Sequence, residues 1–134
     1  QDVTIAVKSK VLAPRFTAWT EKSGIINVQP PAEVLAQMIA LRIHLDDCDE
    51  DNGALKVWRG SHLHGRLNDN GIEKWLGENE PVTCPVSAGG IMAMRPLLIH
   101  ASSKAKNPTN RRVIHIEYAG CDLSSGLEWL SEIR

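Results

Sequence analysis

Residues 38–45 read MIALRIHL, and this octet restricts the fold more than any other stretch. Ile39, Leu41, Ile43 and Leu45 alternate with Met38, Ala40, Arg42 and His44. A period of two belongs to a β-strand, whose successive side chains leave on opposite faces. One face is wholly aliphatic. The other begins with Met38 and Ala40 and ends with a guanidinium and an imidazole. Neither face can be surrendered to water, because the polar pair is flanked by apolar residues. The strand signal covers residues 34–45 and belongs inside a layered β structure.

The remaining segments agree. Val3, Ile5 and Val7 alternate with Thr4, Ala6 and Lys8, which predicts another strand. The chain opens QDVTIAV, without Met and already alternating, so it is expected to be part of a longer one. Between residues 8 and 31 the pattern breaks at Pro14, Gly24 and Pro30-Pro31 around Trp19, which predicts a long loop packed as an active-site lid. DDCDEDNGALKVW predicts an acidic turn ending in Asn52-Gly53, a hairpin signal, and then a strand through Trp58. RGSHLHG is another turn. A short helix is expected over residues 71–76 with Asn70 as its cap. Strands follow near 82–86, 90–94 and 111–119, and SSGLEWLSEIR reads as a short helix or tail. Many short strands between turns predict a sandwich or barrel. At 134 residues the chain forms one domain, 1–134, long enough for a core.

Charge narrows the function classes. Fifteen Lys+Arg face 16 Asp+Glu, a net charge of -1, so no basic field attracts nucleic acid or an anionic membrane. No apolar run reaches the length of a membrane span, and the start lacks a signal-peptide pattern. Cys48, Cys84 and Cys121 form no CxxC pair, which points to reduced thiols and a cytoplasmic protein. Asp47, Asp49 and Asp51 imitate a calcium loop, but Asn52 stands where glycine is needed and Trp58 where the closing glutamate belongs. His62 and His64 form an HxH pair of the kind that binds metal in cupin barrels. The glutamate expected four or five residues on is replaced by Asn68 and Asp69, so turn and surface histidines are the better reading.

RPLLIHASSKAKNPTNRR, residues 95–112, carries the densest chemistry. An apolar run ends in His100, and Arg111 and Arg112 return eleven and twelve residues later. A histidine closing an apolar strand is usually a half-buried imidazole with a backbone partner. The arginine changes that reading. Non-haem Fe(II) oxygenases hold iron with two histidines and one carboxylate, leaving the opposite positions open. 2-Oxoglutarate takes two of them, and its far carboxylate needs a fixed, always charged, bidentate partner, which guanidinium supplies. A histidine at one strand end and an arginine at the start of the next, joined by ASSKAKNPTN, meet that need.

Three blocks carry a resemblance: QDVTIAV, QPPAEVLAQMIALRIHLDDCDEDNGALKVWRGSHLHGRL, and RPLLIHASSKAKNPTNRRVIHIEYA. With the ending GLEWL, they resemble the phytanoyl-CoA dioxygenase (PhyH) family of Fe(II)/2-oxoglutarate-dependent oxygenases, over most of the chain and in the same order. The resemblance implies a mainly β double-stranded β-helix, a jelly-roll or cupin-like barrel, incomplete at the N-terminus because the first strand and helical region fall before Gln1. QD matches the end of the family's His-x-Asp motif, which implies Asp2 as metal carboxylate and places the proximal histidine before Gln1. It implies His100 as the distal metal histidine. Arg111 matches the arginine for the far carboxylate, and Tyr118-Ala119 keeps a register that favours it over Arg112. Ser102 matches a hydroxyl that helps hold 2-oxoglutarate. Arg42 matches a residue facing the cofactor pocket, with His44 on its face.

The implied cofactors are Fe(II) and 2-oxoglutarate, and the implied partners are O₂ and a small organic or acyl substrate that is hydroxylated. Asp2 speaks against halogenation, since halogenases replace the carboxylate with a small residue. The alternative is a metal-free jelly-roll binding module or an inactive oxygenase relative. If the oxygenase reading holds, Asp2 and His100 converge within about two bonds of 2.0–2.2 Å. Alternation then turns Arg111, Val113 and His115 inward and Arg112, Ile114, Ile116 and Tyr118 outward. The apolar outer face needs a cover, for which a second copy of the chain would serve.

Overall fold

The structure, a computed structural model, describes residues 1–106 and 110–132. Three antiparallel three-stranded sheets carry the fold. In the first, β3 (Ile25–Gln29) lies between β1 (Ile5–Val7) and β2 (Thr17–Lys22). In the second, β4 (Met38–His44) lies between β7 (Ile91–Met94) and β9 (Val113–Ala119). In the third, β5 (Leu55–Val57) lies between β6 (Val82–Cys84) and β8 (His100–Ser102). The chain passes back and forth between sheets, in keeping with the sandwich or barrel expected from the strand pattern and with the jelly roll that the resemblance implies.

Met38–His44 forms the central strand of its sheet, but only the Met38–Ala40–His44 face is buried, so the expectation that neither face meets water holds for one face alone. Its pairing with β9 runs without a slip from Met38 opposite Ala119 to His44 opposite Val113. The inward face starts in hydrocarbon: Met38 joins Ile5, Val7, Phe16, Val28, Leu35 and Leu97 in the main core. The outward face stays open, with Ile39, Ile91, Ile114 and Tyr118 all exposed. Residues 34 and 35, expected in the strand, instead belong to a one-turn helix, α1 (Ala32–Leu35). Pro31 caps it at φ -55°, and the turn drives Leu35 into the core.

Several boundaries differ from expectation. Residues 8–31 are not one long loop: β2 and β3 pair as a hairpin, with a register shift between Thr17 and Thr20. Ala18 takes a positive φ of 49° inside that shift, which explains the broken alternation. Asn52-Gly53 does not close a hairpin, because β4 and β5 lie in different sheets and the turn carries the chain across. The second helix, α2 (Asp69–Glu78), is longer than expected, and Asn68 rather than Asn70 caps it by accepting from the Gly71 N–H at 2.9 Å. The last strand begins at Val113, so Arg111 and Arg112 precede it. The C-terminal stretch forms no helix over its described residues; Trp129 makes an isolated bridge to Val7. Residues 107–109 of the expected ASSKAKNPTN connection, and 133–134 of the tail, lie outside the described residues.

Candidate active site

The first two residues are pinned to the body. Asp2 donates its backbone N–H to the Pro96 carbonyl at 2.8 Å. The Gln1 amide donates to the carbonyls of Gly65 and Leu97 and accepts from the Leu67 N–H. Asp2 is thereby held opposite His100, whose Nε2 lies 3.6 Å from Asp2 Oδ1. That is within about two metal–ligand bond lengths. His100 Nδ1 lies 2.9 Å from the Leu98 carbonyl. A carbonyl can only accept, so Nδ1 donates, and Nε2 is the ring nitrogen that faces the carboxylate. A ring nitrogen and a carboxylate oxygen at this separation can share a cation, and an imidazole anchored through its other nitrogen is a common form of metal ligand. A second proton on Nε2 would instead make an ion pair.

A further group adjoins Asp2. Ligand atoms of Asp2, His115 and Glu117 all lie within 4.8 Å of one another. Arg42 Nη1 sits 3.4 Å from His115 Nδ1. Guanidinium can only donate, so that nitrogen accepts and the ring proton sits on Nε2, which lies 3.5 Å from Glu117 Oε1. Alternation predicts an inward His115, and Glu117 follows it by two on β9. Counting by twos along β9 from Val113 reaches both, so the signal was present.

Farther along β4, a cavity of about 50 Å³ is lined by Arg42, His44, Cys48, Gly53, Leu55, Ser102, Arg111 and Val113. One water needs about 10–15 Å³ of such space, so there is room for a carboxylate group. Arg111 reaches into it and donates to the Gly53 carbonyl and, at 2.9 Å, to Ser102 Oγ. Arg112 turns the other way and grips Asp46, through Nε at 2.9 Å and Nη2 at 2.8 Å. The two adjacent arginines therefore serve opposite sides, as alternation required. His44 is 4% exposed, and neither ring nitrogen has a hydrogen-bond partner among the described residues. Arg42 Nε is likewise buried and unpartnered. Burial, and then the charges of Arg42 and Arg111, push the His44 pKa down, so the ring is neutral at neutral pH. Gly53 has φ 82°, and a Cβ there would come within 2.5 Å of Arg111 Nη1. That constraint on the turn was not apparent in the amino-acid string.

Two regions near these groups are occupied by other contacts. The His64 ring packs on Trp75 with centroids 4.5 Å apart. In the acidic turn, Asp47 accepts from the Ala88 N–H, Asp49 from the Asn52 N–H, and Asp51 pairs with Lys106. A larger groove of about 430 Å³, lined by Ala32, Glu33, His62, Leu63, Arg95 and Leu97 among others, gathers fewer ionisable groups than the smaller cavity. Among the described residues, no helix is long and apolar enough to cross a membrane.

Comparison with known proteins follows the same direction. The family model described as Phytanoyl-CoA dioxygenase (PhyH) matches residues 4–113. No curated protein matches the chain. Among solved structures, EvdMO1 is similar over 63% of the chain at 28% identity with a TM-score of 0.57. AviO1 from Streptomyces viridochromogenes Tue57 is similar over 88% of the chain at 26% identity with a TM-score of 0.56. The chain spans 20% of the EvdMO1 chain and 45% of the AviO1 chain.

Proposed function

The chain belongs to the phytanoyl-CoA dioxygenase family, and from that premise we propose that it acts in Fe(II)- and 2-oxoglutarate-dependent hydroxylation of a small organic or acyl substrate. The observation that carries this reading is the facing pair of Asp2 and His100, 3.6 Å apart, with the His100 ring anchored through Nδ1. Asp2 and His100 would hold Fe(II). Arg111, Ser102 and Arg42 would hold the 2-oxoglutarate carboxylate. The residues present fit that acid: the cavity lining is cationic and polar, includes no carboxylate, and leaves Arg42 Nε and both His44 nitrogens unpartnered.

When bound, the metal supplies O₂ activation, which no side chain can provide. The chain's own work is orientation and charge. The Leu98 carbonyl fixes the His100 ring, the Pro96 carbonyl fixes the Asp2 backbone, and Ser102 with Gly53 aims Arg111. The lid role for residues 8–31 is part of this proposal.

Anaerobic titration with Fe(II), using Co(II) as a spectroscopic substitute, tests the assignment. His100→Ala is expected to weaken metal binding by at least about tenfold, a typical penalty for disturbing a metal's ligand support. The same loss is expected for Asp2→Ala. Metal binding that survives His100→Ala but disappears in His115→Ala would move the ion to the Asp2–His115–Glu117 group and overturn the assignment. A protein that carries the histidine implied before Gln1 and still binds no metal would be the metal-free jelly-roll module.

A further inference from the structure

His44 has no task within the fold. Its backbone is fully used: its N–H donates to the Gly90 carbonyl, and its carbonyl accepts from the Gly89 N–H. Its side chain is 4% exposed and makes no hydrogen bond among the described residues. Buried polar groups almost always have partners, so a wholly orphaned imidazole marks a place where a partner arrives from outside. The ring lines the same small cavity as Arg111, Ser102 and the unpartnered Nε of Arg42.

We propose that His44 is a specificity-determining residue, donating its ring N–H to the far carboxylate of a dicarboxylic 2-oxo acid and so selecting that acid over monocarboxylic ones. The inference rests on the functional reading above and deepens it. An ordered water is the simpler occupant, and it would satisfy the imidazole. It would leave two guanidiniums sharing a site without a counter-charge, which a carboxylate supplies. A carboxylate also offers about four acceptor positions, enough for Arg111, Ser102 and His44 together. Because both arginines and burial disfavour the imidazolium, His44 contributes a directional donor and not a third positive charge.

The test measures anaerobic binding of 2-oxoglutarate and of 2-oxobutanoate to the Fe(II)-loaded chain, in wild type, His44→Phe and His44→Gln. 2-Oxobutanoate keeps the chelating end and lacks the far carboxylate. The expected result is a loss of about tenfold or more for 2-oxoglutarate in His44→Phe, little change for 2-oxobutanoate, and partial recovery in His44→Gln, whose amide can donate. The melting temperature of the ligand-free His44→Phe protein is expected to hold, since the His44 ring makes no hydrogen bond to the described residues. Equal losses for both acids, or a fall in melting temperature that tracks the loss, would make His44 structural and overturn the proposal. Wild type that binds 2-oxoglutarate with His44→Phe unchanged overturns this proposal alone. Wild type that binds metal but neither acid overturns the functional reading with it. If His44→Phe does not fold, the His44→Gln ratio between the two acids decides the question.

Discussion

Around β1 and β3, Ile5, Val7, Val28 and Leu35 bury hydrocarbon against hydrocarbon. At the other end of β4, Arg42 and His44 line a small cavity together with Arg111 and Ser102. Both environments lie on one face of one strand, since Met38 and Ala40 precede Arg42 and His44 in the same alternation. The first end stabilises the fold by removing apolar surface from water, at roughly 25 cal/mol per Å². The second removes polar groups from bulk water, which adds no such gain. Stability and recognition are therefore divided along β4, and the polar end persists because the apolar end offsets it.

Breaking the apolar end should have the largest effect. Leu35 is 1% exposed and sits in the main core. Leu35→Ala is expected to lower unfolding free energy by about 2–5 kcal/mol, read as a reduced urea midpoint with unchanged slope. Well below that midpoint, affinity for 2-oxoglutarate should not change. A matching loss of affinity would show that the two ends are not separable.

An intermediate effect is expected at the seam. The fully buried Ser61 donates from Oγ to the Trp58 carbonyl and accepts from the Ile99 N–H, both at 2.8 Å. Ser61→Ala strands that N–H and should cost about 1–3 kcal/mol. Ile99 immediately precedes His100, so this variant, unlike Leu35→Ala, should also weaken metal binding in the same Co(II) titration. Unaltered metal affinity would confine Ser61 to the apolar end.

The smallest effect belongs to neither end. Hydrogen bonds from the Arg112 side chain, and then from its backbone, lower the Asp46 pKa to about 2 from 3.8. A depressed folded-state pKa stabilises the protein above the unfolded value, and that contribution fades as pH falls from about 4 toward about 2. Arg112 is exposed, so salt screens the pair. Arg112→Ala should flatten the acid limb of a stability-against-pH curve in that window and leave ligand binding intact. An unchanged limb would remove the pair from the account.

The strand at 38–44 was legible because its alternation is strict and each face has one character. The opposed directions of Arg111 and Arg112 followed from the same rule of two. The β2–β3 hairpin was not legible, since TAWTEK is almost wholly exposed and a positive-φ Ala18 interrupts its period. Leu35 escaped the strand because Pro30-Pro31 reset the backbone just ahead of it, a local effect that hydrophobic counting cannot register. Convergence of Asp2 with His100 followed from the family resemblance and not from spacing, as 98 positions of chain separate them. That His44 is left without a partner could only emerge in three dimensions, because an orphaned nitrogen is defined by what fails to reach it.

The slip-free ladder between β4 and β9 also has a kinetic side. His44 pairs with Val113, and Met38 with Ala119, so closing the sheet joins segments roughly seventy to eighty positions apart before contacts repay the lost chain entropy. Architectures dominated by such distant pairings fold in about milliseconds to seconds, while helical bundles of similar stability take microseconds to milliseconds. Arg42 and His44 ride on one partner of that ladder, and Arg111 lies just ahead of the other. No early hairpin can assemble the cavity, because β2–β3 contains none of its residues. In a refolding experiment, recovery of 2-oxoglutarate binding should accordingly lag the burst of β-sheet signal, and the pocket should be among the last parts of the molecule to exist.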